Sequence, residues 1–127
     1  MAMTKTKSAD GVIWTAQNKQ NYAAAGEYLS LLFSQKRVSK YVRQLRKAPL
    51  SRFKAKDIFR ASQLSLLGVS NSHVEKDRRK IAKGTGLSPL LLVRDEVHSK
   101  LIVADGYHRL CAIYGIDEDA VIQCRIV

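Results

Sequence analysis

Little in this sequence is acidic, sulfur-bearing or sharply bent. Of 127 residues two are Cys, two are Pro and one is Trp, and eleven Asp and Glu stand against twenty-two Lys and Arg. Cys111 and Cys124 form neither a CxxC pair nor a metal-ligand pattern, so a disulfide framework and a zinc module are not expected. They read as free, buried thiols. No apolar run approaches the roughly 20 residues that a membrane-crossing helix needs. Met1–Asp10 lacks the apolar core of a signal peptide. A cytoplasmic protein without a membrane partner is therefore expected. No repeat or low-complexity stretch appears, and 46% hydrophobic with 26% charged residues describes a folded chain rather than a disordered one.

The shortage of acid leaves a net charge of +11, which makes polyanions the first partners to consider. The excess is uneven. Residues 1–50 carry nine basic and two acidic side chains, residues 51–86 nine and three, and residues 87–127 four and six. The first two thirds are strongly cationic and the last third is slightly anionic.

The apolar spacing gives the elements. Residues 1–15 read as an arm with a small apolar patch whose Trp14 docks on the domain. Tyr22, Ala25, Leu29 and Leu32 predict a helix within 18–33. A second helix is predicted over Gln35–Lys47, with Ser34 as N-cap, an apolar stripe of Val38, Tyr41, Val42 and Leu45, and Pro49 as its stop. Ala55–Ser62 predicts a short third helix, and Leu64–Val69 a short buried strand. Ser72 and Glu75 have the capping-box form, opening a polar helix that ends at Gly84. Leu90–Val93 and Leu101–Ala104 predict a hairpin. Asp105–Gly106 opens a last helix closed by Gly115, and Ala120–Val127 forms a final strand. Helices first, then β-turn-β-α-β, predict an α+β domain with a small mixed sheet over residues 51–127, preceded by an N-terminal arm and helical pair over 1–50.

The informative stretch is Asp105-Gly106-Tyr107-His108-Arg109, where a strand runs into a helix through glycine. Such a junction presents unpaired backbone N–H groups and the positive end of the helix dipole, and both favour an anion. Gly106 lets a phosphate approach the backbone. Arg109 is suited to clamp it. His108 is suited to donate to it or to move a proton. Asp105 is placed to cap the helix or assist a metal. The plainer alternative stands beside this. Asp105 only caps, His108 packs, and Arg109 pairs with Asp105 or the acidic loop.

Pro89–Val93 followed by Leu101–Ala112, with Ile81–Gly84 ahead of them, resembles the ParB/sulfiredoxin superfamily over roughly residues 57–127. The match lies in Asp105, Gly106, His108, Arg109 and Ala112 and in the order of elements. The resemblance implies a fold of that type and a nucleotide, with Mg²⁺ as companion, whose phosphates meet Gly106, Tyr107, His108 and Arg109. It further implies that phosphoryl transfer or hydrolysis could follow, with His108 and Asp105 as the candidate catalytic groups. Sulfiredoxins carry a catalytic Cys where this chain has Tyr107, so sulfinic-acid repair is not expected. Partition ParB proteins carry two Arg in the box and a later helix-turn-helix, neither of which is found here. Free serine kinases carry a DGHHR-type box, the nearest pattern of the three, but their catalytic glutamate has no recognisable counterpart.

Three further groups bear on function. Lys36, Arg37, Lys40, Arg43, Arg46 and Lys47 fill the polar circumference of the second helix. They can track a nucleic-acid backbone without reading sequence, or form a solvated face. Arg78–Lys80 with Lys83 either lean towards the phosphate site or line an exposed helix. Asp117–Asp119 either ligate Mg²⁺ or form a solvated turn, and no metal site is assigned. His73 and His98 receive no role. Three functions follow: a nucleotide- or phosphate-binding domain, a non-enzymatic nucleic-acid module using the basic helix, and an assembly module in which the DGYHR turn is structural.

Overall fold

The computed structural model describes residues 6–7, 11–68 and 71–127. In chain order the elements are β1 (Thr6–Lys7), β2 (Ile13–Trp14), α1 (Lys19–Leu29), α2 (Gln35–Lys47), β3 (Ser51–Lys54), α3 (Ala55–Ser62), α4 (Ser72–Ala82), β4 (Leu90–Asp95), β5 (Lys100–Asp105), α5 (Tyr107–Ile116) and β6 (Val121–Ile126). This is an α+β fold. β1 and β2 form a small antiparallel ribbon, and the main sheet has the order β3-β6-β4-β5. β4 runs antiparallel to β5 and parallel to β6, and β6 runs antiparallel to β3, so the sheet is mixed. Among the described residues no helix is long and apolar enough to cross a membrane.

The unbroken apolar run Leu90–Val93 is explained by burial on both faces of the sheet. Leu90 and Leu92 face one core with Val103, Leu110, Ile113, Ile122 and Cys124. Leu91 and Val93 face the other with Ile102, Ala104, Leu29 and Leu45. The first core is covered mainly by α3 and α5, the second by α1 and α2. Val12 and Trp14 belong to the first core, each 1% exposed, so the arm docks through Trp14. It is fastened there by Thr15 N donating to Leu87 O and Leu87 N donating to Ile13 O, both at 2.8 Å.

α2 and α3 have the predicted bounds, and the Ser34 hydroxyl caps α2 by accepting from Arg37 N at 3.5 Å. Five details differ from the sequence reading. α1 stops at Leu29 with Ser30 as its C-cap, so Leu32 of the expected stripe lies beyond the helix and is exposed. Residues 64–68 form no strand. Gln63 ends α3 in the left-handed region at φ 58°, and Leu64 and Leu66 are exposed; Val69 lies outside the described residues. α4 is capped by Asn71, whose Oδ1 accepts from His73 N and Val74 N, and not by Ser72, which is already helical. Gly115 lies inside α5, and Asp117 is the C-cap. β3 was unforeseen because Ser-Arg-Phe-Lys is short and largely exposed; its pairing with β6 makes it an edge strand.

Candidate functional site

β5 delivers Asp105 to the rim of the sheet, and the chain turns into α5 through Gly106. Gly106 has φ +108°, a conformation that side-chain-bearing residues avoid. An added Cβ would stand 2.7 Å from Leu90 Cγ and 2.9 Å from Arg109 Nη2. No side chain caps α5, so the first-turn amides of Tyr107, His108 and Arg109 have no side-chain acceptor and keep the positive end of the helix open. α4 packs beside α5 and walls a cleft of about 180 Å³, lined by His73, Lys76, Asp77, Lys80 and residues 105–109. Three cations face two carboxylates there.

The predicted residues have unequal parts in this cleft. His108 lies in it, its ring centroid 4.8 Å from that of His73. Burial, then His73, hold the His108 pKa below its ordinary 6.5, with Asp77 opposing and Arg109 adding to the depression. The imidazole is therefore neutral near pH 7, a hydrogen-bonding group rather than a cation. Arg109 Nη2 donates to Asp105 Oδ2 at 2.8 Å and to Pro89 O at 3.3 Å, and both charged side chains are largely buried. Arg109 Nε is buried with no partner. Asp105 is thus the counter-ion of Arg109, and the capping role expected for it is not what forms. Gly106 holds the N-cap position, and the Asp105 carboxylate instead meets Arg109 four residues on. Tyr107 contributes its backbone only, since its hydroxyl donates to Ser65 O and ties the α3–α4 linker down.

Asp77, Lys76 and His73 are residues that sequence reasoning did not assign, and Lys80 belongs to the basic cluster it left between the phosphate site and an exposed helix; all four line the cleft. They recur at i, i+3, i+4 and i+7 along α4, the spacing of one helical face, but on a polar helix that spacing matches a solvated face equally well. Asp77 is half-buried, and burial raises its pKa above the ordinary 3.8 against the pull of Lys80, Arg109, His108 and Lys76. In the basic cluster Lys80 faces the cleft, whereas Arg79 turns to Glu75 at 3.2 Å.

No protein-family model, curated protein or solved structure matches this chain. The site is therefore read from its own chemistry.

The acidic loop is engaged elsewhere. Asp119 pairs with Lys56 at 2.7 Å and Lys54 at 3.8 Å, which holds its carboxyl below the usual range, and Asp117 accepts from Asp119 N. Among the described residues no group of three or more His, Cys, Asp or Glu is placed to hold a metal. Both cysteines are buried, and burial pushes their thiols up, Cys124 to about 11, so neither is a nucleophile at neutral pH. His98 closes the β4–β5 turn on Asp95 at 2.8 Å. The six basic residues of α2 are all exposed. They lie on the helix that covers the opposite face of the sheet from α5, so the structure does not bring them to the Gly106 cleft.

Proposed function

We propose that this chain binds a phosphate-bearing small molecule, a nucleotide or another phosphate ester, in the cleft between α4 and α5, and that it is a ParB/sulfiredoxin-like domain protein. The observation that carries the reading is the uncapped start of α5 at Gly106 inside a cleft with excess positive charge. First-turn amides meet the phosphate oxygens, Lys80 and Lys76 balance its charge, and His108 donates a hydrogen bond. Arg109 Nη2 is held by Asp105 and Pro89 O and its Nε is sealed, which leaves Nη1 as the guanidinium nitrogen for the ligand. The residues present form no Mg²⁺ site of their own, because Asp105 is engaged by Arg109 and Asp119 by Lys56. Mg²⁺ would enter, if at all, on the phosphates. For any phosphoryl transfer or hydrolysis that follows binding, His108 is the better placed candidate to move a proton, since Asp105 is tied to Arg109.

Titration with CTP, ATP and ADP, with and without Mg²⁺, tests the reading. Wild type binds at least one of them. Arg109→Ala weakens binding by about 1.5–3 kcal/mol, the scale of a hydrogen bond to a charged group, and Lys80→Ala weakens it less. No binding by wild type overturns the nucleotide and leaves only another phosphate ester, and undiminished binding in both variants overturns the cleft as the site.

A second reading, a non-enzymatic module that binds nucleic acid without sequence preference, rests on a separate observation. None of Lys36, Arg37, Lys40, Arg43, Arg46 and Lys47 forms an ion pair among the described residues. Arg37 lies 4.7 Å over the Phe33 ring and Arg46 4.7 Å over the Tyr22 ring, so aromatic contacts steady two guanidinium groups on this face.

A further inference from the structure

A second cleft, of about 360 Å³, opens beside the first and shares Asp77, Lys80 and Arg109 with it. Its remaining walls are Thr15, Asn18 and Asn21, from the arm and the start of α1, and residues 85–88 ahead of β4. The arm and α1 lie outside the stretch that resembles the superfamily. The two sides are locked together. The backbone bonds between residues 13–15 and Leu87 join them, and the Thr15 side chain fills the place beside Gly86 that a Cβ would take, 2.0 Å from it.

Asn21 decides what the cleft is for. It is 9% exposed. Its Oδ1 accepts from Gln17 Nε2 at 3.1 Å and from Asn18 N at 3.2 Å, completing the cap of α1. Its Nδ2 has no partner among the described residues and keeps some accessible surface, and Asn21 is one of the residues that line the cleft. An amide donor that the protein leaves unpaired at the wall of a cleft is available to an acceptor that enters it, in place of water. The hydroxyls of Thr85 and Ser88 on the facing loop also bond to no protein group among the described residues. Apart from the three shared residues the lining is uncharged, and it contains no aromatic ring on which a base would stack. Amide and hydroxyl groups around a small polar space suit the hydroxyl and ether oxygens of a sugar.

We infer that the ligand is a phosphorylated sugar, with its phosphate at the Gly106 turn and its hydroxyl-bearing ring against Asn21, Thr85 and Ser88. The inference rests on the phosphate-binding reading above and adds the class of organic group. The sugar is either free or part of a nucleotide.

Calorimetric titration of the full chain with inorganic phosphate, ribose 5-phosphate and AMP tests this. Wild type binds ribose 5-phosphate about ten-fold or more tighter than inorganic phosphate, the gain expected of one or two added hydrogen bonds. Asn21→Ala, and separately the double variant Thr85→Val/Ser88→Ala, remove most of that advantage and leave the affinity for inorganic phosphate unchanged. Arg109→Ala weakens both ligands. If Asn21→Ala fails to fold for want of its cap, the double variant decides. AMP binding tighter than ribose 5-phosphate assigns the sugar to a nucleotide; equal or weaker binding assigns a free sugar phosphate. Equal binding of inorganic phosphate and ribose 5-phosphate by wild type overturns the sugar inference and leaves the phosphate reading standing. Failure of wild type to bind any of the three overturns both.

Discussion

Gly106 is the residue whose replacement is felt both in stability and at the cleft. At φ +108° an L side chain is strained whatever space surrounds it, and here the added carbon would also meet Leu90 and Arg109. Gly106→Ala is expected to destabilise the fold by about 1–3 kcal/mol from the backbone conformation alone, with a further cost from the steric overlap, as measured by chemical denaturation. His108 adds a pH dependence. Its folded pKa lies below 6.5, so the unfolded chain binds the proton more readily. Stability is unaffected by this group above 6.5 and falls as pH drops from there through the folded value. Asp77, raised above 3.8, works in the opposite sense at lower pH, because protonation relieves a partly buried carboxylate. NMR titration of the His108 ring should find its pKa below 6.5 and moving upward when phosphate is added, since a bound anion favours imidazolium. A value at or above 6.5 without ligand would remove the basis for a neutral donor in the cleft.

At the level of elements, the caps separate what was legible from what was not. α2 and α3 were readable because Ser34, Pro49 and the apolar stripe act locally, within a few residues of the backbone they control. The capping box at Ser72 and Glu75 also looked local, but Asn71 competes for the same amides and its Oδ1 reaches both His73 N and Val74 N. Asn71→Ala should therefore cost about 1 kcal/mol, the usual worth of an N-cap, and Ser72→Ala only a few tenths, compared by thermal unfolding. Equal losses would return the cap to Ser72. β3 was invisible for the converse reason, since only its partner β6, some seventy residues away in sequence, makes Ser51–Lys54 a strand. The Gly106 turn itself was legible, since a glycine between the apolar strand Leu101–Ala104 and the helix after it marks the strand-to-helix junction, and the pairing of Arg109 with Asp105 was one of the two alternatives its residues offered. The α4 wall was legible only as one of two alternatives at Lys80 and not at all at Lys76 and Asp77, which acquire meaning only once α5 lies alongside.

For the whole molecule the charge of +11 separates by position. The Gly106 cleft uses little of it, and α2 displays six unpaired cations on the far side of the sheet. If that face binds nucleic acid, replacing Lys36, Lys40, Arg43 and Lys47 by Gln should lower affinity for single- and double-stranded DNA. It should also flatten the fall of log K with log salt by about 0.7–0.9 for each phosphate that the variant no longer neutralises. Nucleotide binding at Gly106 should stay unchanged. A salt response as steep in the variant as in wild type would reject the basic face as the nucleic-acid surface. The same partition shows in the cores, where α1 and α2 seal Leu91, Val93, Ile102 and Ala104 on one side and α3 and α5 seal Leu90, Leu92 and Val103 on the other.

The doubly covered sheet has a consequence for how this chain can be cut or borrowed. A fragment begun at residue 51 would keep every group of the Gly106 turn and yet carry a bare oily sheet face, inviting self-association before any ligand could be tested. Transplanting the turn into another protein would face the same demand, since the recipient must supply its own roof for that face. The helical pair is thus the portable fold's missing lid, and the smallest useful piece of this protein extends back beyond the motif and beyond α1 to the arm that carries Val12 and Trp14.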